Sequence, residues 1–194
     1  MQLKDALMVI IFGVFVSLPS QVIAAEYKLD IKGAHAFIQF KIQHLGYSWI
    51  IGQFNKFDGK LKYENTDEEA SEISIVIDTA SIDSNHKLRD KHLRDDNFLD
   101  VKKYPQATFI SKNYKPTSPG KAILTGDFTF RGITKSIDID VHKMGEGKDP
   151  WGGERVGFEG STKFKLKDYK IEKKLSPASA VVELYFTLEG IKQK

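Results

Sequence analysis

The sequence predicts an all-β domain: one antiparallel sandwich or barrel of about eight strands with a short helix near one end. Three observations carry this. Apolar and polar residues alternate with period two over most of the chain, turn chemistry separates the alternating runs, and a single charged segment breaks the rhythm. With 194 residues and 41% hydrophobic content, the chain suits one domain that buries its own core.

The N-terminus comes first and differs from the rest. Lys4 precedes an apolar run from Ala6 to Val16, followed by Pro19, Ser20, Gln21 and the small residues Ala24 and Ala25. A basic start, an apolar middle and a small-residue cleavage site describe a signal peptide, although Asp5 is atypical of the basic part. A spanning helix needs about 20 apolar residues, more than this run supplies. The expected division is therefore a cleavable signal peptide over 1–24, with cleavage near Ala24, and an exported β domain over 25–194.

The strands follow in order. Ala36, Ile38, Phe40 and Ile42 share one face, opposite Gln39, Lys41 and Gln43, with Phe37 out of pattern. Ile73, Ile75 and Ile77 alternate with Ser74, Val76 and Asp78. Leu124, Phe128 and Phe130 share parity, as do Ile137, Ile139 and Val141. So do Val156, Phe158, Phe164 and Leu166, and then Val182, Leu184, Phe186 and Leu188. Each run is a half-buried antiparallel strand with one dry and one wet face. Asp58-Gly59 and Arg131-Gly132 suit tight hairpins. Asn65 to Glu69, Pro116 to Gly120 and Met144 to Gly153 read as longer connections.

Residues 84–96 carry the exception: helix formers, many charges, and Ser84 or Asn85 as N-cap. His86 and His92, beside Asp90, Asp95 and Asp96, suggest metal ligands. Six residues apart on a helix, however, they point about 240° from one another and do not converge on one ion. His35, His44 or His142 would have to complete such a site. Spacings of four from Asp83 to Lys87 and from Asp90 to Arg94 suit solvated ion pairs, and a surface helix laced with them is the plainer reading.

Composition narrows function. A net charge of +3 lacks the concentrated basic surface of a nucleic-acid binder. Absence of Cys leaves no disulfide and no lipidation site. Gly46-Tyr-Ser48 lacks the second Gly of a nucleophile elbow, and Gly145-Glu-Gly147 leads into Pro150 rather than a dinucleotide loop. No nucleophile, base and orienting partner assemble, so no catalytic residue, metal or cofactor is expected.

What remains is the dry face. The expected wall comprises Ile38, Phe40, Ile42, Ile75, Ile77, Phe109, Phe128, Phe130, Ile139, Phe158, Phe164, Leu184 and Phe186. An eight-stranded barrel is just wide enough either to be filled by such side chains or to hold one small apolar ligand, and pattern alone leaves both open.

The stretch His35-Ala-Phe-Ile-Gln-Phe-Lys-Ile-Gln-His44-Leu-Gly46-Tyr-Ser-Trp49 resembles the opening signature of the bacterial YceI-like proteins. Asn85-His86, Arg89-Asp90-Lys-His92-Leu93, Tyr104-Pro105-Gln-Ala-Thr108-Phe109, Gly126 to Lys135 and Asp149-Pro-Trp151-Gly152-Gly153 are similar to later parts of that family. The resemblance runs in order through the whole mature chain. It implies a lipocalin-like antiparallel barrel in the periplasm that binds a polyisoprenoid, quinone-type or other long apolar chain without catalysis. It also leaves His44, Arg89, Asp90 and His92 either to fix the helix over the mouth or to meet a head group. A monomer or weak homodimer with transient contact to a membrane or membrane protein is the accompanying expectation. The competing classes are a stress-related interaction protein with a filled barrel, and a metal-assisted enzyme using the His86/His92 region.

Overall fold

Period-two alternation closes here into a barrel. A computed structural model describes residues 24–172 and 176–193, so the expected signal segment lies outside the described residues, apart from Ala24 at its end. In chain order the elements are β1 (Ala25–Leu29), β2 (Phe37–His44), β3 (Ser48–Phe54), β4 (Phe57–Tyr63), β5 (Glu72–Asp78) and β6 (Ile82–Asp83). Then come α1 (Lys87–Arg94), β7 (Gln106–Ser118), β8 (Lys121–Phe130), β9 (Ile133–Lys148), β10 (Glu154–Lys165) and β11 (Val181–Lys192).

Neighbours run β1-β4-β5-β7-β8-β9-β10-β11, and β11 pairs back onto β1, closing eight antiparallel strands. Closure removes the exposed edges that an open sheet would present. β1 and β2 lie end to end along one edge of β11: Leu29 pairs with Gly190, while Ile38 pairs with Phe186 and Ile42 with Val182. β3 pairs with β2 and β4 with β1, and neither belongs to the alternating runs read from the sequence. The barrel is thereby sealed at its β1 end, here called the base. At the other end, the mouth, the flap β2-β3-β6 leaves the barrel wall, and α1 covers the gap.

Several sequence expectations are corrected. Asp58-Gly59 is not a turn but part of β4, pairing with Val76 and Ile75. Glycine is needed because the Ile75 methyl and the Ser74 carbonyl lie 2.6 and 2.7 Å from where its Cβ would be. Pro116 to Ser118 extends β7, leaving Pro119 and Gly120 between the strands. Arg131-Gly132 does form the tight hairpin, with φ of 50° and 71°, the left-handed values of a type I′ turn.

The helix cap is also corrected. His86, not Ser84 or Asn85, caps α1: its Nδ1 accepts the Arg89 amide at 3.2 Å. α1 lies at the surface as expected, but the expected pairs Asp83–Lys87 and Asp90–Arg94 do not form among the described residues. Asp90 is buried and accepts from the Ser84 amide at 2.8 Å and the Ser84 hydroxyl at 2.5 Å. Arg94 turns away from Asp90 and donates to the carbonyls of Ala80 and Ile82 at 2.7 and 2.6 Å. Asp83 likewise serves the Asn85 amide and the Asn55 side chain instead of Lys87. Each group meets a backbone partner outside the helix, a stronger demand than a solvated ion pair.

Candidate ligand-binding site

The inward parity of the strands encloses three adjoining spaces along the barrel axis. The one under the mouth measures about 100 Å³, the middle one about 60 Å³ and the one near the base about 30 Å³. Ile77, Phe128 and Leu184 separate the first two; Ile73, Leu124, Phe186 and Leu188 separate the last two. The walls present carbon surface throughout. Two larger depressions, about 480 and 550 Å³, lie on the outer faces of β8–β11 and β1-β4-β5. Their open, charged and polar walls suit solvent, so the smaller interior is the better ligand site.

All thirteen residues expected in the wall face this interior. Phe40, Ile42, Ile77, Phe128, Phe130, Phe164 and Leu184 surround the upper space. Ile38, Ile75, Phe109, Ile139 and Phe186 line the middle one, and Phe158 the lowest. The pattern missed the contributors that sit outside regular strands. Leu93 of α1 faces the upper space, joined by Phe98 and Leu99 after the helix and by Leu166 and Ile171 after β10. Their hydrophobicity was the available signal, but no period-two neighbour gave it a direction.

Glycines shape the wall as much as rings do. Gly52 pairs with Phe40 and Gly160 with Phe186, and in both cases the phenyl ring lies over the glycine where a Cβ would stand. Gly126 is covered in the same way by Phe109, whose Cζ is 2.5 Å from the would-be Cβ. Rings folded flat against the sheet leave the axis open; rings held off by a methyl would project into it.

The mouth is closed by packed aromatics and a clasp. The Tyr169 ring lies 5.6, 5.5 and 5.2 Å from those of Phe128, Phe130 and Phe164. Burial pushes its phenol up to about 12, and its hydroxyl has no hydrogen-bond partner among the described residues. Arg131, at the β8–β9 turn, donates to the carbonyl of Lys170 and, at 2.5 Å, to that of Asp96. It thus joins the segment after β10 to the segment after α1. Arg89 anchors the helix start, donating to the Ser84 hydroxyl at 2.7 Å and its carbonyl at 2.5 Å.

At the base, Lys143 reaches the Tyr63 hydroxyl and the Asn65 side-chain oxygen, both at 2.8 Å. The Tyr63 hydroxyl in turn donates to Glu68 at 3.1 Å, and burial, with that carboxylate, raises its pKa. Lys143 shares the parity of Ile139 and Val141 and so turns inward at this end, and the β-bulge at Gly157/Phe158 leaves the next residue, Met144, unpaired and exposed.

The histidines do not assemble a metal site. His86 is the helix cap and His92 is exposed; neither belongs to a cluster of three His or carboxylate ligands among the described residues. His142 contacts Glu159 at 3.1 Å. Asp30, His35 and Glu189 do converge, but on Arg155: its guanidinium meets Asp30 at 2.8 Å and also contacts Glu189 and, at 2.6 Å, Asp149. Arg155 and His35 together hold the Asp30 carboxyl down at about 2. A cation is already supplied by the chain, so the cluster clips the β1–β2 break to β10 and β11.

Comparison with known proteins agrees with this architecture. The solved Campylobacter jejuni YceI protein superposes with a TM-score of 0.72 at 29% identity, covering 79% of this chain and 91% of that one. A polyisoprenoid binding domain from Saccharophagus degradans, implicated in plant cell wall breakdown, gives 0.63 at 17% identity over 89% and 100% of the two chains. An Ectopseudomonas mendocina protein named UPF0312 is 50% identical over 191 residues, spanning 98% of this chain and all of the relative. The YceI-like domain model matches residues 27–190, and the chain belongs to that family.

Proposed function

We propose that this protein binds a long apolar chain of isoprenoid type, polyprenyl or quinone-linked, inside the barrel and carries it without changing it chemically. The observation that supports this most is the file of three carbon-walled spaces along the axis. The Saccharophagus domain described as polyisoprenoid-binding has the same barrel. Transfer of apolar surface from water drives binding at about 25 cal/mol per Å², or about 0.8 kcal/mol per CH₂. Ordering a flexible chain offsets part of it.

Volume sets a condition. An apolar cavity of about 150 Å³ takes one benzene, so the upper space of about 100 Å³ admits a long chain only by joining the spaces beyond it. Leu184, half-buried at the upper partition, is the side chain that must turn, while Phe186 already lies flat over Gly160. The protein acts in the periplasm as a monomer or weak dimer, released from its N-terminal segment near Ala24.

Organic extraction of the purified protein followed by mass spectrometry tests this. Recovery of one long apolar molecule per chain, or uptake of added polyprenol, is expected. Repeated absence of both would leave the filled-barrel interaction protein.

A further inference from the structure

The outer face of the β2–β3 hairpin carries the most concentrated exposed hydrophobicity near the mouth. Tyr47 at its tip is 88% exposed, Ile51 61%, Leu45 45% and Trp49 44%. Ile51 pairs with Lys41 and Trp49 with Gln43, so these side chains share the outward face of one ribbon, away from the lumen. The far edge of β3 pairs only through Gln53 and Phe54, with β6, among the described residues; on that edge residues 48–52 have no partner strand. Scattered surface apolar residues need no explanation, but a contiguous set on a projecting hairpin does.

Charge narrows the partner. From Ile31 to Phe57 the sequence contains no Asp or Glu but has Lys32, Lys41 and Lys56. The acidic groups on adjoining strands are engaged: Glu183 by Lys41 and Lys163, both at 3.0 Å, and Asp83 by Asn55 and the Asn85 amide. The Lys41 ammonium also lies 4.7 Å from the Trp49 ring centroid. Trp49 and Tyr47 beside Lys41, with the single Glu183 carboxylate shared between Lys41 and Lys163, give a net-positive aromatic face, the composition of a membrane interface. A second copy of the same face would bring four lysines against two carboxylates, a net repulsion.

We propose that this hairpin docks the barrel on the surface of an anionic phospholipid bilayer, with Tyr47, Trp49 and Ile51 seated among the head groups. The inference rests on the chain-carrier reading. β2 supplies Phe40 and Ile42 to the upper space on its inner face, so docking its outer side brings the upper end of the barrel close to the bilayer. A chain then passes between lipid and barrel with little exposure to water.

Trp49 reports on this directly. The chain has 2 Trp, and Trp151→Phe leaves Trp49 as the only tryptophan, which excitation beyond the tyrosine band reads alone. With vesicles of phosphatidylethanolamine and phosphatidylglycerol, Trp49 emission should shift to the blue and be quenched by brominated acyl chains. Because quenching reads depth at Trp49 itself, residues 1–24 cannot produce it by anchoring the chain elsewhere. In the same background, Tyr47→Ser with Ile51→Ser should weaken vesicle partition on the order of tenfold at unchanged melting temperature, and pure phosphatidylcholine should bind less. Unshifted, unquenched Trp49 overturns the proposal. So does a loss of self-association or of protein capture in the double variant while vesicle partition persists. Docking without polyprenol uptake contradicts the carrier reading alone; uptake without docking contradicts this inference alone.

Discussion

Replacing Gly160 by Ala places a methyl where the Phe186 ring now lies. The new Cβ would stand 2.8 Å from Phe186 Cε2 and 2.9 Å from the Asp140 carbonyl oxygen, against ordinary contacts of 3.4–4 Å. The carbonyl belongs to a paired strand and yields little, so the ring must move about 1 Å or more off the sheet. It can go only inward, where the middle and lower spaces it separates offer about 60 and 30 Å³. Overpacking of this kind costs about 1–3 kcal/mol, a fall of about 3–10 °C in melting temperature for a chain of this size. The same displacement blocks the axis below Leu184. Affinity for a polyprenol long enough to pass Phe186 should drop on the order of tenfold, since about 1.4 kcal/mol is a factor of ten. A short chain confined to the upper space should bind as before. Fluorescence competition across a polyprenol length series, with thermal melts, reads both effects, and adding Phe186→Leu should restore long-chain binding. Unchanged melting temperature and unchanged long-chain affinity in Gly160→Ala would refute the idea that ring-over-glycine packing keeps the lumen open.

Three further outcomes follow from the ends of the barrel and its outer clip. The folded state holds Asp30 at about 2 against its ordinary 3.8, so the fold favours the carboxylate; its stabilisation is whole above about pH 4 and declines as pH falls toward 2. Urea melts should therefore show Asp30→Asn less stable at neutral pH, with the gap closing between pH 4 and 2; a constant gap would refute the assignment. Tyr169→Phe removes a hydroxyl that has no partner among the described residues while keeping the ring contacts, so its melting temperature should hold or rise, whereas a clear fall would mean the hydroxyl is bonded. Arg131→Ala unties Asp96 from Lys170, which should speed exchange of a bound fluorescent fatty chain several-fold in stopped flow with little change in its cavity contacts; unaltered exchange would remove Arg131 from any role at the mouth.

Alternation made the wall legible because a strand's two faces meet opposite solvents, and hydropathy records which is which. Thus Ile75, Ile77, Phe128, Phe130 and Phe186 could be given a direction before any coordinates. Alternation carries no direction where the backbone is not a plain strand. Leu93, Phe98, Leu99, Leu166 and Ile171 reach the upper space from helix and turn segments, whose side chains follow no period of two. Gly52 and Gly160 have no side chain for hydropathy to weigh, yet they decide where Phe40 and Phe186 lie. Asp58-Gly59 carried a turn signature inside β4 because the same glycine answers close approach of neighbouring chains as well as tight turns. In residues 84–96 the charges were visible but their partners were not: Asp90, Arg89 and Arg94 satisfy backbone groups of residues 80–84, and sequence spacing points only to side chains on the same helix.

Photocrosslinking with a polyprenol that carries a diazirine along its chain tests the central claim most directly. Peptide mapping should place the adducts on inward residues such as Phe40, Ile77, Phe128 and Leu184. Adducts confined to the outer residues Tyr47, Trp49 and Ile51, or lost altogether against excess phospholipid, would contradict a ligand held inside the barrel.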